Sequence, residues 1–145
     1  MSTFSALRIS ASGLTAERLR MDLIANNIAN QRTTHGANGE AYRRRVAVFT
    51  PNEMGKAPGL ASETGSAPAT MGVRVAQILE DPRPGNPVYD PKHPDANAEG
   101  YVTYPNVDLV TEMVDMMSAT RAYEANVVAG QAAKAMAARA IDLGR

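Results

Sequence analysis

The chain has 145 residues, the size of one ordinary domain, and its fifteen basic and fifteen acidic side chains cancel. With no net charge, bulk electrostatics do not draw it to nucleic acid or to an anionic membrane surface. The absence of cysteine excludes disulfides and thiolate chemistry while fitting either redox compartment.

Only 5% of the residues are aromatic, and much of the 44% hydrophobic content is alanine. Alanine contributes little burial compared with Leu, Ile or Phe, so the core is expected to be thin. Residues 1–9 lack the continuous apolar stretch of a cleavable secretory signal, and the N-terminus reads as retained. No run approaches the roughly 20 apolar residues needed to span a bilayer.

All nine prolines lie from Pro51 to Pro105. Because an interior proline breaks a helix, only the flanks can form long ones. The chain therefore divides into an N-terminal helix within 1–32, a middle segment over 33–104 with short strands and extended loops, and a C-terminal helix within 105–145. The expected fold is mainly α, with the two long helices packing as a coiled-coil-like pair beside a small β-hairpin and a Pro-rich connection.

In the first flank, Leu7, Leu14, Met21 and Ile28 recur at a seven-residue spacing, with Phe4, Ala11 and Ala25 three positions earlier. That spacing predicts the d and a positions of a helix seam. Arg18 interrupts the a series, either by snorkelling outward or by finding an acidic partner. Asn26, Asn27 and Asn30 fall off the seam and are expected to face outward together. They serve either as a helix end where asparagine caps carbonyls or as a polar contact to another subunit.

Tyr42–Thr50 and Met71–Glu80 carry β-branched alternation and predict two short strands that pair. Between them, 51–70 is rich in Pro, Gly, Ser and Ala and reads as a mobile loop. Residues 81–100 hold five prolines and predict an extended, turn-rich connection. Arg43, Arg44 and Arg45 are expected on a solvated strand face, having no aromatic neighbours beyond Tyr42 to make a nucleic-acid site.

In the last flank, Asn106 is the expected cap, with Asp108 placed against the positive end of the helix dipole. From there Leu109, Met113, Met116, Tyr123 and Val127 form one stripe, and Val110, Val114 and Met117 a second beside it. One partner helix covers only a narrow seam, so a face this wide implies further partners. Past Gly130 an alanine-rich stretch permits close helix approach.

Chemistry is tested and finds no foothold. His35 and His93 stand far apart in breaker-rich loops without zinc spacing, and both are expected to be exposed. No nucleophile elbow, phosphate loop or dinucleotide fingerprint occurs. Asp95-Ala96-Asn97-Ala98-Glu99-Gly100 imitates the opening of a calcium loop, but its twelfth position is Asn106 and prolines precede it, so Asx turns are the expectation. No catalytic residue, cofactor or metal ligand is assigned. A cell-wall hydrolase is the weakest reading, and a stand-alone coiled-coil adaptor is the alternative to an assembly subunit.

The stretch Ala25-Asn26-Asn27-Ile28-Ala29-Asn30, with Thr33 or Thr34, Gly39 and Tyr42-Arg43-Arg44 after it, resembles the N-terminal signature of bacterial flagellar rod and hook proteins. Tyr89-Asp90-Pro91, Asp95 to Val102, Pro105 to Asp108, Glu112-Met113-Val114 and Thr120 to Val127 are similar to proximal-rod members of that family. The resemblance implies a structural axial subunit of the basal-body rod in the periplasm, exported through the flagellar type III apparatus without a cleaved signal. It also implies partners: copies of itself, other proximal-rod subunits, the distal-rod protein and the junction protein linking rod to export gate. The residues expected to pack between subunits are Phe4, Leu7, Leu14, Met21, Asn26, Asn27, Ile28, Asn30, Val110, Met113, Val114, Met117, Tyr123 and Val127.

Overall fold

The computed structural model describes residues 3–36, 39–53 and 70–143. Helix α1 (Thr3–Ala29) is followed by strands β1 (Arg45–Glu53), β2 (Thr70–Glu80), β3 (Asn86–Tyr89) and β4 (Tyr101–Tyr104), and then by helix α2 (Leu109–Leu143). Two long helices flanking a proline-bearing middle match the sequence expectation. Most of the expected 51–70 loop, residues 54–69, lies outside the described residues.

The chain forms two compact units. One gathers Met1–Arg18, Val48–Gln77 and Thr120–Arg145; the other gathers Leu19–Ala47 and Ile78–Ala119. Each helix contributes a stretch to both.

In the first unit α1 buries Ser10, Gly13 and Ala16. The Asn126 side chain sits where a Cβ on Gly13 would lie, and Ser10 faces Gly130. As the α1 number falls the α2 number rises, so these stretches run antiparallel, and their contacts use small residues that let backbones approach closely. In the second unit α1 buries Leu23, Ile24 and Asn27, and α2 buries Glu112 and Ala119. The buried face of α1 is therefore not the expected heptad series. Leu7, Leu14, Met21 and Ile28 are only half-buried, on the flank of the helix, and Arg18 is exposed.

β1 and β2 form a two-stranded sheet, and Asp81 at the end of β2 donates its amide to the Arg44 carbonyl just before β1. The N-terminal end of β2 docks on α1 through Ser12. Its hydroxyl donates to the Ile9 carbonyl at 2.7 Å and accepts the Val73 amide at 3.1 Å. That approach leaves no room at Gly72, whose φ is +88°.

The middle segment departs from expectation between 81 and 104, where β3 and β4 pair antiparallel with Pro87 opposite Thr103. The Asp90 amide donates to the Gly100 carbonyl at 2.9 Å, which makes that pair hydrogen-bonded. Alternation then makes Val88/Val102 and Asn86/Tyr104 the bonded pairs and Pro87/Thr103 a non-bonded one. Pro87 thus sacrifices no ladder bond, which is how a strand survives in a proline-rich stretch. Val102 is the buried anchor of this hairpin, and the Tyr89 and Tyr101 rings meet edge-on at 5.3 Å.

The loop from 90 to 100 is built from Asx turns, as expected: Asn97 Oδ1 accepts the amides of Glu99 and Tyr101, and Asp90 Oδ1 accepts that of Lys92. Thr34 donates to Asp95 at 2.6 Å. His35 is exposed, but His93 is half-buried, because its Nδ1 accepts the Asp95 amide and its ring lies near Tyr104.

The cap of α2 is Asp108 rather than Asn106. Asp108 accepts the Val110 amide at 3.0 Å and the Thr111 hydroxyl at 2.8 Å, and the Thr111 bond followed by the Val110 bond holds its carboxyl below the ordinary carboxylate value. Asp108 directly precedes the first helical residue, whereas Asn106 lies too far back and instead accepts the Arg44 amide.

Two outcomes follow from this geometry. Gly72→Ala places a Cβ against Ser12 in a left-handed conformation and is expected to destabilise the chain by about 1–3 kcal/mol, read as a lower denaturant midpoint. Asp81 is held at a pKa of about 2, chiefly by hydrogen bonds from the Arg83 side chain, against an ordinary value of 3.8. A depressed folded-state value contributes stability that is full above the ordinary value and lost as pH falls through the folded one. Asp81→Asn is therefore expected to lower stability at pH 6 and to match the parent chain near pH 2 in urea titrations.

Candidate assembly surface

Asn27 carries the polar node of the second unit. It sits on the buried face of α1, 1% exposed, and all four of its hydrogen-bonding positions are filled. Its Oδ1 accepts the Arg45 amide at 2.9 Å and the Tyr42 hydroxyl at 2.9 Å. Its Nδ2 donates to the Arg45 carbonyl at 3.0 Å and to Glu112 Oε2 at 3.0 Å. The carboxamide thus stands in for a neighbouring strand, pairing with both backbone groups of Arg45 at the point where β1 begins.

Glu112 lies on the inner face of α2 and is fully buried. Arg44 Nε donates to its Oε1 at 2.5 Å, and Arg44 Nη2 donates to Asp115 at 3.0 Å. Arg20 reaches Asp115 from α1 at 3.7 Å. A buried carboxylate requires both a cation and hydrogen bonds, and this one has both. Burial pushes the Tyr42 phenol above its ordinary value, with the nearby Arg45 opposing.

Two expectations are corrected here. Asn27 does not face outward with Asn26 and Asn30. Asn26 is exposed, and Asn30 caps the helix end by donating to the Asn26 carbonyl at 2.9 Å. Arg44 does not lie on a solvated face, although Arg43 and Arg45 do, each paired at the surface with Glu40 and Glu80 respectively. Reading asparagine as an outward residue missed the node. The signal available in sequence was an Asn on α1 together with a lone Glu among the Met and Val residues of α2.

The remaining predicted residues separate by exposure. On α2 of the second unit, Val110, Met113, Val114 and Met117 are 69%, 54%, 55% and 55% exposed. Their i, i+3, i+4, i+7 spacing puts them on one helix face, opposite the face that buries Glu112 and Ala119. In the first unit Tyr123 and Val127 are half-buried, while Val128, Met136 and Ile141 are exposed. Phe4 is in α1, with only its backbone described. Val110, Met113, Val114 and Met117 thus form an exposed apolar row within the second unit.

An open cleft of about 620 Å³ lies between Thr34, Arg43, Arg83, Asp95 and Thr103 in the second unit. Its arginines are already paired, Arg43 with Glu40 and Arg83 with Asp81. Among the described residues, no helix is long and apolar enough to cross a membrane.

The chain, with two long terminal helices and apolar residues left outside, belongs to the flagellar basal-body rod protein family, as its similarity to known members shows. Residues 7–37 match the family described as flagella basal body rod protein, and residues 98–143 match the C-terminal family of flagellar basal body rod FlgEFG proteins. The flagellar basal-body rod protein FlgC of Bacillus subtilis (strain 168) is 47% identical over 150 residues, covering 100% of both chains. FlgC of Borreliella burgdorferi is 45% identical over 143 residues, covering 94% of this chain and 93% of that one. FlgC of Escherichia coli O6:H1 is 40% identical over 145 residues, covering 100% of both. The family is one of structural rod proteins and not of enzymes. Asn27 and Glu112 fall one in each matched region.

Glu112→Ala would leave Arg44 in a largely buried site with only Asp115, and is expected to destabilise the chain by about 3–5 kcal/mol, with Glu112→Gln costing less. Denaturant midpoints of the two variants check this; an unchanged midpoint for Glu112→Ala would contradict the role given to the node.

Proposed function

We propose that this chain is a structural subunit of the proximal rod, polymerising through its terminal helices to form part of the drive shaft and export channel of the flagellar basal body. The observation that carries the reading is the exposed row Val110, Met113, Val114 and Met117, a large apolar face with no covering element among the described residues. Apolar burial contributes about 25 cal/mol per Å², so covering four such side chains in a neighbouring subunit gives a substantial drive to assemble. The half-buried Leu7, Leu14, Met21 and Ile28 flank of α1 offers further apolar area of the same kind.

In this reading residues 1–32 and 105–145 are the assembly segments, pairing as a coiled coil, and 33–104 is the middle segment between them. The partners are other copies of the chain, the remaining proximal-rod subunits, the distal-rod protein and the junction protein at the export gate. The subunit works in the periplasm after export without a cleaved signal. Assembly adds to the stability of the folded subunit, because helices with faces this apolar draw most of their stability from packing rather than propensity.

Val114→Asp tests the proposal. A carboxylate at this exposed position is tolerated in the free subunit, whose helix content and denaturant midpoint stay near those of the parent. Burying it between subunits costs several kcal/mol, so rods fail to form and cells are non-motile. A folded Val114→Asp subunit that restores motility to cells lacking their own copy would overturn the reading.

A further inference from the structure

We propose that Met113 and Met117 form an oxidation-sensitive site, whose conversion to methionine sulfoxide switches off the assembly face; the inference rests on the assembly reading above. The chain has no cysteine, so methionine is its main target for hydroperoxides. Of its methionines in the second unit, Met113 and Met117 are 54% and 55% exposed, whereas Met21 and Met116 are half-buried.

The two exposed methionines stand one helical turn apart, on the face that Val110 and Val114 complete without an intervening charge. In the reaction a thioether sulfur attacks the distal oxygen of a hydroperoxide. The S–O bond forms as the O–O bond breaks, the sulfur loses two electrons, and the peroxide leaves as water or an alcohol after proton transfer. The product carries a strong dipole and a hydrogen-bond acceptor in the middle of an apolar row. Inside a packed interface that oxygen has no donor, and an unpaired buried polar group opposes association. Val and Leu at these positions would be inert. Methionine therefore makes the face adaptable in packing and also reversible by reductases.

The first test treats the intact, full-length subunit with hydrogen peroxide and follows each methionine by peptide mass spectrometry. Met113 and Met117 are expected to oxidise several-fold faster than Met21 and Met116; equal or slower rates would overturn the proposal. The second compares cells carrying the parent chain, Met113→Leu/Met117→Leu, or Met113→Gln/Met117→Gln, where glutamine imitates the polarity of the sulfoxide. Under sublethal peroxide the parent is expected to yield several-fold fewer basal bodies than the leucine variant, with the two equal in its absence. Equal loss in both strains, or no loss in the parent, would overturn oxidation control while leaving the assembly reading intact. Normal rods from a folded glutamine variant would instead overturn the assembly reading at this face.

Discussion

The fold depends on how one carboxamide and one carboxylate are buried. Asn27 and Glu112 bond to each other, and between them they engage Tyr42, the Arg44 side chain and the Arg45 backbone. In the second unit this fastens the end of α1, the entry to β1 and the first turns of α2 at a single point. Hydrogen bonds to charged, buried groups are directional, so this contact fixes the register of α2 in a way that a thin alanine-rich core cannot. Asp108 then caps α2 four residues before Glu112, and Asn106 holds the Arg44 amide from the same turn.

That choice of interior has a consequence for the exterior. Because the close helix contact of the first unit runs through Ser10, Gly13 and Gly130, and the second unit is held by Leu23, Ile24 and Val102 together with the polar node, the row Val110, Met113, Val114 and Met117 is not consumed by the fold. α2 is apolar on two opposite faces, and only the face with Glu112, Ala119 and Ala133 is buried. Small and polar residues serve the contacts where close approach and direction matter, while Val110, Met113, Val114 and Met117 stay exposed.

Much of this was legible in sequence. Proline placement locates both helices, β-branched alternation locates β1 and β2, and the second stripe of α2, Val110, Val114 and Met117, is left exposed. Three features were hidden for identifiable reasons. The heptad series in α1 suggested a Leu/Met seam, but small residues permit a closer helix contact than periodicity of large ones can reveal. Asn27 lacks apolar character, so pattern reading sent it outward, although its four bonds are made to groups remote in sequence. Pro87 argued against a strand, but only its position on the non-bonded edge decides that, and register appears in three dimensions alone.

The central claim is that the Val110–Met117 face is free in the subunit and covered in the rod. Since the chain has no cysteine, a single Val114→Cys substitution gives one reporter at the centre of that face. Maleimide labelling of the isolated subunit and of purified basal bodies measures it directly. The account predicts rapid labelling of the free subunit and strong protection in the assembled rod; equally fast labelling of both would contradict it.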